Sequence, residues 1–449
     1  MACHCNDYSK AQAGRGLRPI EPGMPTPAGT GLNRRAFLAR SSGLALSVFG
    51  GTMLSRLAFE ERIAAAAGST SPVLVSIFLA GGLDSLSVLA PVGDPRYASL
   101  RPNLELTPSG DPKDVFTEDG KLHWHPSAAP LRDLHRAGKV SVIPAVGYKD
   151  ANQSHFTSRH YWEVGEVNPF GRVGWLGRYL DQHGVDDNPL QGLSLDWNLA
   201  PALATSSRPV AAVSSPENFS LGARDVWDAT IRTRMVAGFR TQGGLATADP
   251  ELATARRAAT QTVGLGGQLE DLQNTDAPWQ TTVAYPSENG FARRLAVLAE
   301  MLALGLPLKV VALDANGGYD THENQNGSLP GDLAEFSQSL AAFQADLEAR
   351  GLADRVLINV WSEFGRRPKE NGSGTDHGAA GLAMVIGTQA KGTLVDPFPG
   401  LGTLDEDDNL RYTTDFRSVY CSLLEQWLKV DADGIIPSAS KFARPLLVR

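Results

Sequence analysis

Only three cysteines occur among 449 residues, too few for a scaffold built on disulfides. Two of them, Cys3 and Cys5, fall in an amino-terminal stretch that reads as a leader, so Cys421 is left with no partner for an internal disulfide. Cys3-His4-Cys5 lacks the second ligand pair of a structural zinc site. Basic charge is also short. There are 41 Lys and Arg against 49 Asp and Glu, a net charge of −8, which argues against an electrostatic nucleic-acid binder. Missing too is an apolar run of the roughly 20 residues that cross a bilayer; the run from Ser41 to Ser55 is shorter, so no stable membrane span is expected. No internal repeat or low-complexity tract appears. With 42% hydrophobic and 20% charged residues, disorder, collagen and coiled coil are excluded and a large core is expected.

What is present begins with export. Asn33-Arg34-Arg35-Ala36-Phe37-Leu38 is a twin-arginine motif, the apolar run follows it, and small residues gather at Ile63 to Gly68, with Ala65-x-Ala67 as a peptidase site. These features in that order read as a twin-arginine signal peptide over residues 1–67, handed to the twin-arginine export machinery and removed. Residues 68–449 then work in the periplasm or outside the cell, and are more acidic still.

From Ser71 onward, apolar runs typical of strands buried on both faces alternate with helical spacing. Pro72–Ala80, Lys139–Val146, Leu308–Leu313, Arg355–Trp361 and Leu382–Ile386 are the expected strands. Leu131–Ala137, Gly331–Arg350 and Asp415–Val430 are the expected helices, Gly351 standing at a C-cap. Such alternation gives an α/β fold, a doubly wound and mostly parallel sheet with helices on both faces. Residues at about 214–282 lack strand character and carry helical patterns at Ala223–Phe239 and Pro250–Leu272, which predicts an inserted helical cap within one domain.

Ligands of a doubly wound sheet bind beyond the carboxyl ends of its strands. Gly81-Gly82-Leu83-Asp84 follows the first run, Asn316 to His322 follows the third, and Ser362-Glu363-Phe364-Gly365-Arg366 follows the fourth; a loop then delivers Thr375-Asp376-His377-Gly378. Taken singly, Asp84 reads as a turn or N-cap residue, Asp320-Thr321-His322 as loop polarity and Glu363 as a partner of Arg366 or Arg367. Taken together, Asp84, Asp320, His322, Glu363 and His377 bring oxygen and imidazole donors to one edge without thiolates, as a site for Zn²⁺, Mn²⁺, Mg²⁺ or Ca²⁺ does. His123-Trp124-His125-Pro126 reads instead as a structural loop before a helix.

Five of these stretches, Gly81 to Asp84, Asn152 to Phe156, Asp320 to Gln325, Ser362 to Arg366 and Gly374 to Gly378, resemble in order the motifs of the exported bacterial "domain of unknown function 1501" family, itself related to the alkaline phosphatase and sulfatase superfamily. The resemblance implies an alkaline phosphatase-like fold and metal-dependent hydrolysis or transfer of phosphate or sulfate esters, with an anionic small-molecule or polymer ester as substrate. It assigns Asp84, Asp320, His322, Glu363 and His377 to the metal. It places the nucleophile at the helix entrance after the second strand, where Ser154 is favoured over Thr157 and Ser158, with His155 beside it and Arg366 neutralising a non-bridging oxygen. Phe364 stands where sulfatases have a histidine ligand, which favours one ion or an altered second site. The alternative is a non-catalytic exported binding or assembly protein that keeps the fold and one structural metal.

Overall fold

The computed structural model describes residues 71–219, 221, 227–273, 281–286 and 289–449; the expected leader lies outside them. The main sheet has eight strands: β1 (Val73–Phe78), β2 (Val140–Gly147), β3 (Gly192–Ser194), β4 (Ala211–Ala212), β5 (Val310–Asp314), β6 (Val356–Trp361), β9 (Gly381–Ile386) and β10 (Thr414–Asp415). A side hairpin of β7 (Arg366–Glu370) and β8 (Thr375–His377) leaves the carboxyl end of β6. Across the main sheet the order is β10-β2-β9-β6-β1-β5-β3-β4. All pairs are parallel except those of β9, which runs against β2 and β6.

The Val-, Ile- and Leu-rich sequences of β1, β6 and β9 are fully buried, as strands covered on both faces must be. Alternate residues point to opposite layers. Val73, Val75 and Ile77 of β1 pack with α1 (Ala129–Arg136), α6 (Gly290–Ala303) and α7 (Gln325–Ala349). Leu74 and Phe78 pack with α2 (His155–Val164), α3 (Trp175–His183) and α8 (Phe416–Ser422). Trp162 stacks on Trp361 and Phe416 in that second layer. The sheet is therefore wound on both faces.

Some boundaries differ from the sequence reading. Helix α7 starts at Gln325 and carries Pro330 inside its second turn, where the missing N–H leaves out the bond to the Asn326 carbonyl without ending the helix. The last helix stops at Ser422 and passes into a π turn over Leu423–Trp427. Strands β3 and β4 were not anticipated; three and two residues are too short to show a period. Between β4 and β5 lie α4 (Ala229–Gly243) and α5 (Pro250–Leu269), capped at their amino ends by Asp228 and Asp249, followed by α6.

One buried charge on α2 makes the fold sensitive to pH. Burial pushes Glu163 up to about 7, outweighing the Arg159 guanidinium that donates to it at 2.7 Å. The unfolded carboxyl titrates near about 4.3, so the folded chain binds this proton more tightly. The resulting stabilisation is complete below about pH 4 and is lost as pH rises through about 7. Glu163→Gln cannot ionise, and its thermal stability relative to wild type should rise across that interval. A difference between the two proteins that is constant with pH would contradict this account.

Candidate metal centre

The carboxyl ends of β1, β2, β5 and β6 open onto one edge of the sheet, and each is followed by a loop that brings a polar group there. The antiparallel β9 enters from this same edge, which is why His377 precedes its strand while the other groups follow theirs. Glycines let the loops close on one another. Gly81 has φ +119°, and a Cβ there would sit 2.4 Å from the Asp320 backbone nitrogen; at Gly82, φ +75°, it would meet the Phe364 ring at 2.3 Å. Neither position accepts a side chain.

Asp320 is the centre of the group. The Nε2 atoms of His322 and His377 lie 3.2 Å from its Oδ1, and Nε2 of His155 lies 3.5 Å from its Oδ2. The two Nε2 atoms of His322 and His377 are 2.9 Å apart. Each ring is held from behind at Nδ1: His155 by Glu363 Oε1 at 2.7 Å, His377 by the Gln153 carbonyl at 2.8 Å, and His322 by Asp376 Oδ1 at 3.3 Å. With acceptors at all three Nδ1 positions, Nδ1 is the donor of each ring, and the Nε2 atoms face Asp320 as lone pairs where the ring is neutral and as N–H donors where it is protonated. Lone pairs facing each other at 2.9 Å need a cation or a shared proton between them. His155, Asp320 and His377 place one donor atom each within 4.8 Å of one another. Imidazoles fixed at the rear by carboxylate or carbonyl and converging at the front on a carboxylate are the pattern of metal-ligating histidines, so the donors present fit a divalent ion.

Protons compete with an ion for these Nε2 atoms. Burial alone would raise Asp320, but hydrogen bonds from His155, His322 and His377 and the charge of Arg366 hold it well below the usual carboxylate range. Burial opposes charge on His155 as well, yet Asp320 and Glu363 push it up to about 9; burial keeps His377 below its ordinary value. Side-chain exposure rises from 7% at His155 through 14% at His377 to 28% at His322 and 58% at Asp376. The group therefore opens to solvent on the His322 side.

Several expected residues stand elsewhere. Asp84 is not at the cluster. Its carboxylate is fully buried against Arg101, at 2.5 and 2.9 Å, and takes further bonds from Ser87, Gln325 and the Leu86 N–H. Burial would raise this carboxyl, but the Arg101 charge lowers it. It acts as an N-cap, the role that the sequence offers for Asp84 taken alone, and as an ion-pair partner of Arg101. Glu363 lies behind the cluster: its oxygens accept from the Gly81 and Gly82 N–H groups, from Ser362 and from His155. It orients an imidazole, and His155, expected beside the nucleophile, takes the place in the ring.

Arg366 also departs from expectation. It is 1% exposed and donates to the carbonyls of Gly82, Thr375, Gly81 and Tyr319 and to Asp320. Committed to those acceptors, it ties the loops after β1 and β5 to its own hairpin. Ser154 is the N-cap residue of α2, between Gln153, whose carbonyl holds His377, and His155; its hydroxyl makes no capping bond. Phe364 backs the His155 and His377 rings at 5.0 and 4.7 Å. Asp376, Gln153 and Arg101 were not singled out from sequence. Asp376 had a signal, being adjacent to His377; a backbone carbonyl and an arginine 17 residues from its partner had none.

The family described as "Protein of unknown function (DUF1501)" matches residues 170–410. The chain belongs to the DUF1501 family. No curated protein matches it. Among solved structures, this DUF1501 chain is similar to a protein in the alkaline phosphatase superfamily from Vibrio parahaemolyticus, with 9% identity over 89% of this chain and 80% of that one and a TM-score of 0.35. It is similar to the PsFucS1 sulfatase from Pseudoalteromonas sp., with 9% identity over 83% and 72% and a TM-score of 0.33. It is also similar to the C-terminal periplasmic domain of EcEptC from Escherichia coli, solved in complex with Zn, with 8% identity over 80% and 83% and a TM-score of 0.35. At that level of similarity no residue role passes from those proteins to this DUF1501 chain.

The roles of Asp84 and Asp320 separate by mutation. Arg101→Met should cost about 3–5 kcal/mol by leaving a buried carboxylate unpaired, and Asp84→Leu with Arg101→Met should recover most of it. Metal uptake should be unchanged in the folded double variant. Loss of metal without loss of stability in Asp84→Asn would contradict the ion-pair role.

Proposed function

We propose that this protein is an exported, metal-dependent hydrolase of phosphate or sulfate esters whose centre is Asp320 with His155, His322 and His377. The observation that carries the reading is the convergence of three imidazole Nε2 atoms on one carboxylate, each ring fixed at Nδ1 by an acceptor. This nitrogen-rich set suits Zn²⁺ or Mn²⁺ better than Mg²⁺ or Ca²⁺, which prefer oxygen. A divalent ion held there supplies Lewis acidity toward an ester oxygen.

The chain's own residues do the rest. Ser154 stands at the amino end of α2, whose first intrahelical bond runs from the Ser158 N–H to the Ser154 carbonyl at 2.9 Å. The positive end of the helix favours an anionic ester beside that hydroxyl. In the proposed step the Ser154 Oγ forms a bond to phosphorus or sulfur as the bond to the leaving alkoxide breaks; the hydroxyl proton passes through water to that alkoxide. Water then releases phosphate or sulfate and restores the serine. Glu363, Gln153 and Asp376 keep the imidazoles aimed, and Arg366 holds Asp320 ionised. Residues 68–449 are read as one α/β domain with a helical insertion at about 214–282, carried out of the cytoplasm by the twin-arginine route on residues 1–67.

One observation favours the non-catalytic alternative: Arg366 is committed to carbonyls and Asp320, so it is not available to neutralise a substrate oxygen. Ester turnover decides between the readings. Ser154→Ala should retain metal and fold while losing hydrolysis by roughly a thousandfold or more, measured over a panel of aryl and alkyl phosphate and sulfate esters. Substantial activity in Ser154→Ala would remove the serine from the mechanism. Absence of turnover by wild type loaded with each of the four candidate ions would favour the binding protein.

A further inference from the structure

Exposed apolar side chains are concentrated in one place. Among the described residues, half of the large apolar side chains open to solvent fall in the stretch from Trp227 to Leu252: Trp227, Ile231, Met235, Phe239, Leu245 and Leu252. Single exposed apolar residues need no explanation, whereas a contiguous set does. Ile231, Met235 and Phe239 succeed one another at i, i+4 and i+8 and so share one face of α4. Each is about half exposed, and Trp227, just before the helix, is 87% exposed.

Helix α4 rests mainly on α5, and of its 15 residues only Gly243 is buried. A helix of that length, about 22 Å, is marginal in water without a packed face. Within α4 itself the charge is of one sign, with Asp228 at its amino end and Asp249 and Glu251 beyond its carboxyl end. From Ala229 to Ala248 the sequence holds Arg232, Arg234 and Arg240 and no acidic residue, in a chain of net charge −8. With a turn of about 100° per residue, Arg234 falls on one side of the apolar stripe and Arg232 on the other. The aliphatic stems can lie along the stripe while the guanidinium groups reach past it.

A second copy meeting this face by twofold symmetry would set the same arginines against each other. An anionic headgroup layer meets them with the opposite charge and accepts the stripe beneath it. We propose that the α4 face of this helical hairpin docks on an anionic phospholipid surface, holding the protein there peripherally. No helix among the described residues is long and apolar enough to cross a membrane. The proposal is independent of the chemistry at Asp320.

Flotation of the purified protein with vesicles tests it, using phosphatidylglycerol mixed with phosphatidylethanolamine against phosphatidylcholine alone. Wild type should float with the anionic vesicles, not with the neutral ones, and should be released by high salt. Two variants, Ile231→Ser with Met235→Ser and Phe239→Ser, and Arg232→Gln with Arg234→Gln and Arg240→Gln, should each bind roughly tenfold or more weakly. Their circular dichroism and melting temperature should match wild type because the altered side chains are exposed. Every other segment is common to the three proteins, so any other lipid contact cancels. Failure of wild type to bind anionic vesicles would overturn the proposal, as would undiminished binding by both variants. A wild-type dimer that the serine variant dissociates would also overturn it by covering the stripe with a second copy.

Discussion

The arrangement depends on keeping one carboxylate ionised in a partly closed site. Asp320 is 24% exposed, and burial alone would favour its protonated form. Three imidazoles and a buried guanidinium reverse that preference. Because Arg366 also binds the carbonyls of Gly81, Gly82, Tyr319 and Thr375, the same side chain that fixes the charge fixes the loops after β1 and β5 and the hairpin after β6. Charge and loop geometry are thus set together.

A second tier of buried polar groups supports this one. Glu363 takes the Gly81 and Gly82 N–H groups and the His155 ring. Asp84 takes Arg101, whose other donors hold the Pro368 and Arg367 carbonyls. Gln325 joins the two tiers, donating to Asp84 and accepting from Thr321 and Thr375. Such networks are stable when every member is satisfied and costly when one is removed. The carboxylates nearest the sheet therefore shape the site, while Asp320, nearer solvent, faces the imidazoles.

Much of this was legible in the sequence. Strands β1, β2, β5, β6 and β9 announce themselves as continuous β-branched runs, and the polar residues after β1, β2, β5 and β6 fall at one edge because those four strands share a direction. The grouping of Asp320, His322 and His377 follows from that rule. Partner choice did not follow. Asp84 and Glu363 carry the same charge as a ligand, and only folding reveals that Arg101 and a pair of glycine N–H groups reach them first. His155 was seen but given another task, since its neighbour Ser154 at a helix entrance drew the attention. The direction of β9 was equally hidden, because a six-residue buried strand reads alike in either sense.

The central claim is that His155, His322, His377 and Asp320 form a metal centre, and metal uptake measures it directly. Protein stripped with chelator and titrated with Zn²⁺ and Mn²⁺ in a calorimeter, with elemental analysis of the product, should take up a divalent ion and melt at a higher temperature, because binding to the folded state alone adds to its stability. His377→Ala and Asp320→Asn should lose that uptake and that gain together. A wild-type protein that binds neither ion, or a His377→Ala variant that binds as wild type does, would contradict the account.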